Sequence, residues 1–151
     1  MALDVHVAVA ADAGPPPAPG GERLAALLER AVRAVLADHG IERAEISVAV
    51  VDDAAIAEMN ERYLGHEGPT DVISFELGAA GGDPVGDIYI GWEQAMRQAA
   101  EYGAEPHEEL ARLAVHGTLH VLGYDHPEGE GREGSAMWRR QEAILRQVLD
   151  S

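Results

Sequence analysis

Three histidines in the segment HGTLHVLGYDH, His116, His120 and His126, have the type and spacing to share one metal ion. His116 and His120 are four residues apart, so on a helix both imidazoles lie on one face with about 5–6 Å between their Cβ atoms. Gly123 lets the chain leave that helix sharply, and His126 follows three residues later, free to fold back as a third ligand. Three neutral imidazoles with one position open form the donor set of a catalytic zinc site, in which bound water falls to a pKa near about 7 and substrate oxygens are polarised. The chain contains no Cys, which excludes disulfides, zinc-thiolate sites and thiol nucleophiles and leaves nitrogen and oxygen to hold any metal. One zinc ion per chain is the expected cofactor.

A pair of histidines four apart also arises by chance in a chain with 7 His, and it is the third His after a well-placed Gly that turns the pair into a candidate site. Gly117 follows the first of them in mid-helix, where glycine costs about 1 kcal/mol relative to Ala. Close packing of another backbone, a sheet strand, is the expected compensation. This glycine also carries a negative message, because the zinc peptidase motif HExxH places its general base, a Glu, at that position. The HxxxHxxGxxH spacing is that of a metzincin, but the peptidase base is missing.

Two carboxylates are candidates for catalytic work. Asp71, at the entrance to the strand VISF, has the reach to orient a ligand or substrate group, although Asp and Thr there also hydrogen-bond their own turn. Asp125 adjoins the third histidine, where it can take a proton from water, hold an imidazole or cap the turn. His66 and His107 lack metal spacing to the triad and read as surface residues, and Glu128, Glu130 and Glu133 read as a solvated acidic loop beside the site.

The elements that must position these groups follow from periodicity. Leu3, Val5, Val7 and Val9 alternate with Asp4, His6 and Ala8 as in a half-buried strand, and residues 14–21, GPPPAPGG, form a loop that neither regular structure can continue. Leu24, Leu27, Leu28, Ala31, Val35 and Leu36 predict a helix over 22–38 that Gly40 stops. A second strand carries Ile46, Val48 and Val50, and a helix over 54–64 carries Ile56, Met59 and Tyr63 on one face. DVISFEL and VGDIYIGW predict two further strands, neighbours in the sheet. Helices follow over 92–102, over 105–123 with Pro106 in its first turn, and over 134–149 with Met137, Ile144, Leu145 and Val148 inward. The sum is an α+β chain, a single domain over residues 1–151 with a small mixed sheet of about four strands and about five helices, and with the metal site at a helix end.

Composition sets limits on partners. The formal charge is -16, and all 11 basic residues are Arg. Such a surface repels nucleic acid at long range, where affinity comes mainly from counterions released by Lys and Arg, unless a local Arg cluster or a metal overrules it. The opening MALDVHVAVA lacks a basic leader, and no apolar run approaches the ~20 residues of a membrane helix, so a cytoplasmic protein without membrane contact is expected.

HGTLHVLGYDH resembles the HGxLHLxGYDH signature of the YbeY family of bacterial metal-dependent endoribonucleases. Upstream, MNERYLGHEGPTDVISF, from Met59 to Phe75, is similar to the family's LNxxYRxxxxPTDVLSF, and the likeness continues through GDIYI and the final helix with Met137 and Glu142. It covers the chain from about Asp52 onward by motif, and the first two elements by pattern alone. The resemblance implies a mixed α/β fold, one zinc on the three histidines, and cleavage of single-stranded ribosomal RNA in the small ribosomal subunit, in maturation of the 16S rRNA 3′ end and in subunit quality control. The chemistry expected is metal-assisted phosphodiester cleavage by water or the ribose 2′-hydroxyl, with the ion's own charge drawing the phosphate.

One position departs from the family. Arg usually follows the Tyr of the YR pair, and Leu64 stands there in this chain. Arg62 is the nearest substitute cation for phosphate, but residues two apart on a helix point about 200° away from each other. Two further readings therefore stand beside the nuclease: a metzincin-like metallopeptidase, favoured by the histidine spacing, and a non-catalytic ribosome-assembly factor, favoured by Leu64.

Overall fold

Alternation of branched apolar residues with polar ones produces four strands: Ala2–Val9 (β1), Arg43–Val51 (β2), Val72–Glu76 (β3) and Val85–Gly91 (β4). They are seen in a computed structural model that describes residues 2–9, 21–78, 82–124 and 136–150. The expected loop over 14–21 lies outside the described residues, except for Gly21, which opens the first helix. The sheet order is β1-β2-β4-β3, with β1, β2 and β4 parallel and β3 antiparallel to β4 at the edge. On β2, Ala44, Ile46, Val48 and Val50 are buried while Arg43, Glu45 and Ser47 are exposed, so one face of the sheet carries the core.

Helices Gly21–Asp38 (α1), Trp92–Tyr102 (α3), Pro106–Val121 (α4) and Ala136–Asp150 (α5) appear where apolar residues recur at helical spacing, and a short helix Asp53–Met59 (α2) follows β2. α4 is the centre of the packing: it touches β3, β4, α1, α3 and α5, and Leu110, Ala111, Leu113, Ala114, Val115, Leu119 and Val121 are all buried. A helix that is apolar nearly all round is enclosed on nearly all sides. The inward residues expected on the last helix, Met137, Ile144, Leu145 and Val148, are buried as well.

Two glycines bring α4 onto β4. A Cβ on Gly117 would lie 2.7 Å from Cγ2 of Ile88, and a Cβ on Gly86 would lie 2.6 Å from Cγ2 of Val121. Each element thus offers a gap that a branched side chain of the other fills. Gly117 does meet a sheet strand, but the partner is the Ile88 side chain rather than the backbone expected above. The branch point of a fully buried Ile cannot swing aside, so Gly117→Ala should overpack the contact at a cost of about 1–3 kcal/mol, only partly offset by about 1 kcal/mol of helix propensity. Urea denaturation should show a less stable variant; a more stable one would mean that α4 retreats from β4 freely.

The helix expected over 54–64 is interrupted. It ends at Met59, and Asn60–Leu64 form a wider, π-helical turn closed by Gly65 at φ 72°. Buried Asn60 explains the change, because its Nδ2 donates to the carbonyl of Gly68 at 2.9 Å and ties the turn to the following loop. Such widened turns often occur at functional sites.

Candidate metal centre

α4 delivers two of the three histidines at its C-terminal end. His116 follows Glu109 by seven residues, two helical turns, so the two share one flank of the helix. His116 sits about 100° and His120 about 60° round the axis from Gly117, on the same side, so both imidazoles project beside the sheet-facing line. Asp71, at the head of β3, adds by its charge to the upward push on the Glu109 carboxyl.

The imidazoles converge. His120 Nε2 lies 3.1 Å from His116 Nε2, with ring centroids 4.7 Å apart. Two nitrogens bound at 2.0–2.1 Å to one tetrahedral ion are separated by about 3.3 Å, so the pair is already spaced as ligands of one zinc. His126 and Asp125 lie outside the described residues, and among the described residues no group of three metal-binding side chains occurs.

What holds His116 in this pose was not legible in the sequence. Its Nδ1 is 2.6 Å from Oε1 of Gln141 on α5. A carbonyl oxygen can only accept, so the ring donates from Nδ1 and its Nε2 keeps the lone pair that a metal needs. The amide is oriented in turn, because Gln141 Nε2 donates to Oε2 of Glu142 at 2.9 Å. Glu142 is anchored by Arg112, whose Nε and Nη2 donate to its carboxylate at 2.9 and 3.2 Å. Arg112 also binds Glu109 and Glu108, which completes a chain of contacts from the first turn of α4 to its last.

This network is largely shielded: Gln141 is 2 % and Glu109 4 % exposed. Burial pushes the Glu109 carboxyl above its usual range despite the opposing Arg112 guanidinium. Burial works against the Arg112 charge too, but the hydrogen bonds it donates to Glu142 and Glu109 outweigh it and hold the cation firmly. Removing the Gln141 support while keeping its volume, as Gln141→Leu, should lower zinc affinity about 10–100-fold. Competition with a chromophoric chelator measures this, and an unchanged affinity would show that the ring needs no such guide.

A second tether reaches the exit of α4. Tyr124 packs edge-on to His39, with centroids 5.4 Å apart, and its hydroxyl donates to His39 Nε2 at 2.8 Å while His39 Nδ1 donates to the carbonyl of Val35. Gly123 takes φ 100°, and Tyr124 N binds the carbonyl of Leu119. The chain therefore enters the Asp125–His126 segment from a fixed point.

The other candidates are not gathered around the histidine pair. One oxygen of Asp71 accepts from Val72 N at 2.8 Å and from Thr70 Oγ1 at 3.3 Å, and the other accepts from Gln98 at 3.2 Å. It staples its own turn and ties the head of β3 to α3. Arg62 is exposed on the π-helical turn, with Cζ 5.7 Å from the ring centroid of its neighbour Tyr63, and Leu64 is 48 % exposed. His66 is exposed and His107 half-buried.

The profile of the family described as Endoribonuclease YbeY matches residues 20–149. The chain belongs to the YbeY family. Relatives named Endoribonuclease YbeY include those of Moorella thermoacetica, 47% identical with 84% of this chain and 88% of the relative covered, and of Desulfitobacterium hafniense, 43% identical with 86% and 90% covered. The solution structure of TM1509 from Thermotoga maritima superimposes with a TM-score of 0.64 at 25% identity, covering 97% of this chain and 89% of that one. The YbeY match runs through both the histidine pair and the segment that carries His126. The superposition with TM1509 bears out the mixed α+β architecture, which has four strands and five α-helices among the described residues.

Proposed function

We propose that this chain is a zinc-dependent endoribonuclease that cuts single-stranded RNA, with one zinc per chain held by His116, His120 and His126. In this reading it acts in the cytoplasm on ribosomal RNA of the small subunit, in maturation of the 16S 3′ end and in quality control. The observation that carries the proposal is the 3.1 Å convergence of two Nε2 atoms on a helix of a YbeY-family chain. Bound there, zinc would supply Lewis-acid polarisation of a phosphate oxygen and a water of lowered pKa. The chain's own part is to keep His116 in the tautomer that presents Nε2, through Gln141, and to fix the exit of α4 through Tyr124 and His39. No described helix is long and apolar enough to cross a membrane.

The metallopeptidase reading loses support, since the position of its base is Gly117, packed against Ile88. The assembly-factor reading keeps one observation in its favour, the exposed Leu64 at the family's Arg position. Metal counting on the purified protein, with cleavage of single-stranded RNA and of casein before and after chelation, separates the three. The nuclease cuts RNA, stops on chelation and recovers with zinc. Casein cleavage lost on chelation would promote the peptidase, and firmly bound zinc without either activity the assembly factor.

A further inference from the structure

The face of the sheet opposite α4 carries an aromatic row. Ile88 points to α4, so its neighbour Tyr89 points to the other face, and the register puts Phe75 beside Asp87 and Ile73 beside Tyr89 there. The Tyr63 ring meets Phe75 at 5.7 Å and 81°, and Phe75 meets Tyr89 at 6.0 Å and 75°. Tyr63 is 59 % exposed, and Leu64 and Leu77 beside this row are exposed too. Three of the four exposed large apolar residues among those described thus gather at one sheet edge, a concentration that marks a binding surface.

Charge narrows the occupant. A chain of net charge -16 gains little from phosphate contacts, so an RNA ligand has to be held largely through its bases. Bases that are not paired stack on exposed aromatic rings whatever their sequence. Arg62 stands over the outer ring as a local cation for the adjoining phosphate. At the inner end, Tyr89 opens onto a hollow of about 370 Å³ that is also lined by His6, Ser47 and Asp87, whose donors and acceptors suit the edge of a base.

We propose that Tyr63, Phe75 and Tyr89 form a stacking platform that holds unstacked bases of a single-stranded RNA next to the cleavage site. The proposal rests on the endoribonuclease reading and adds where the substrate lies. β3 is the edge strand and α4 packs on β3 and β4, so an RNA strand on the platform passes round this edge to reach the side of the sheet that carries α4 and its histidines. Burial, Asp87 and Tyr63 all push the Tyr89 phenol upward, so this ring stays neutral and does not repel phosphate.

Stopped-flow quenching of a single-stranded RNA that contains 2-aminopurine reads stacking by the zinc-loaded protein before cleavage proceeds. The parent should quench, with an affinity that falls less than about tenfold between 50 and 200 mM salt, as for one or two phosphate contacts. Tyr63→Leu should weaken binding at least tenfold at unchanged zinc content, and Tyr63→Phe should restore it. Parental affinity and quenching in Tyr63→Leu, alongside normal RNA cleavage, would overturn the platform and leave the nuclease standing. A steep salt dependence of about 10³-fold would also overturn it, by assigning the affinity to phosphates. Loss of small-subunit protein binding in Tyr63→Leu with RNA binding intact would overturn it in favour of a protein dock. A parent that neither binds nor cuts RNA removes both the nuclease reading and the platform.

Discussion

His116→Ala is expected to lose zinc more severely than the about 10–100-fold that removal of a supporting residue costs, and to reduce RNA cleavage to that of a chelated sample. Two effects combine. The pair of nitrogens 3.1 Å apart becomes a single nitrogen, and Oε1 of Gln141 loses its donor in a site only 2 % exposed. An orphaned buried acceptor costs about 1–3 kcal/mol, so this variant should also denature earlier. His120→Ala distinguishes the two effects, because it removes a nitrogen from the partly exposed ring and leaves the His116–Gln141 bond in place. It should match His116→Ala in lost zinc and lost cleavage while losing less stability. Elemental analysis, a gel assay and urea denaturation of the three proteins provide the check. RNA cleavage by His116→Ala at the parental rate would sink the metal-dependent nuclease.

Arg112→Met should produce the largest loss of stability of any substitution considered, on the order of 3 kcal/mol. The Arg112 side chain is 18% exposed and pairs with Glu109, whose side chain alone is 5% exposed, and with Glu108 and Glu142. With the cation gone, three carboxylates face one another in a partly shielded space. The Glu109 carboxyl, already raised by burial, loses the guanidinium that opposes the rise, so the penalty is complete at neutral pH and fades as pH falls through its raised value and the group protonates. Urea denaturation should therefore show the gap between parent and Arg112→Met narrowing from pH 7 toward pH 4. A gap that stays constant over this range would mean that Arg112 acts through packing alone. Zinc affinity should fall as well, because Glu142 then no longer holds the Gln141 amide in one orientation.

The charge of the chain misleads when taken alone. A net charge of -16 argues against nucleic acid partners, yet the chain belongs to a family named for cutting RNA. Net charge averages over the whole surface, whereas binding is decided by a few groups, in the proposed reading the His116–His120 pair and the aromatic edge. The position of Arg62 shows a similar limit. Ideal helical geometry applies poorly to it, because Asn60 draws the backbone into a wider turn through a bond to Gly68, eight residues away.

Features set by contacts within a few residues were legible in the sequence by itself. Strand alternation, the helical period of α4, the stops at Gly40 and Gly123 and the four-residue spacing of His116 and His120 all follow from backbone geometry that repeats over one turn or one pleat. Family membership was legible for the same reason, since its motifs are contiguous. Only the tertiary structure decided what holds the site. Gln141 reaches His116 across 25 residues, Arg112 reaches Glu142 across 30 and Tyr124 reaches His39 across 85. Such partners share no local period, and each is an ordinary polar residue until packing expels water and makes its hydrogen bonds obligatory. The same holds for Gly117 and Ile88 and for the row Tyr63, Phe75 and Tyr89, which the folding of the sheet brings together from separate segments.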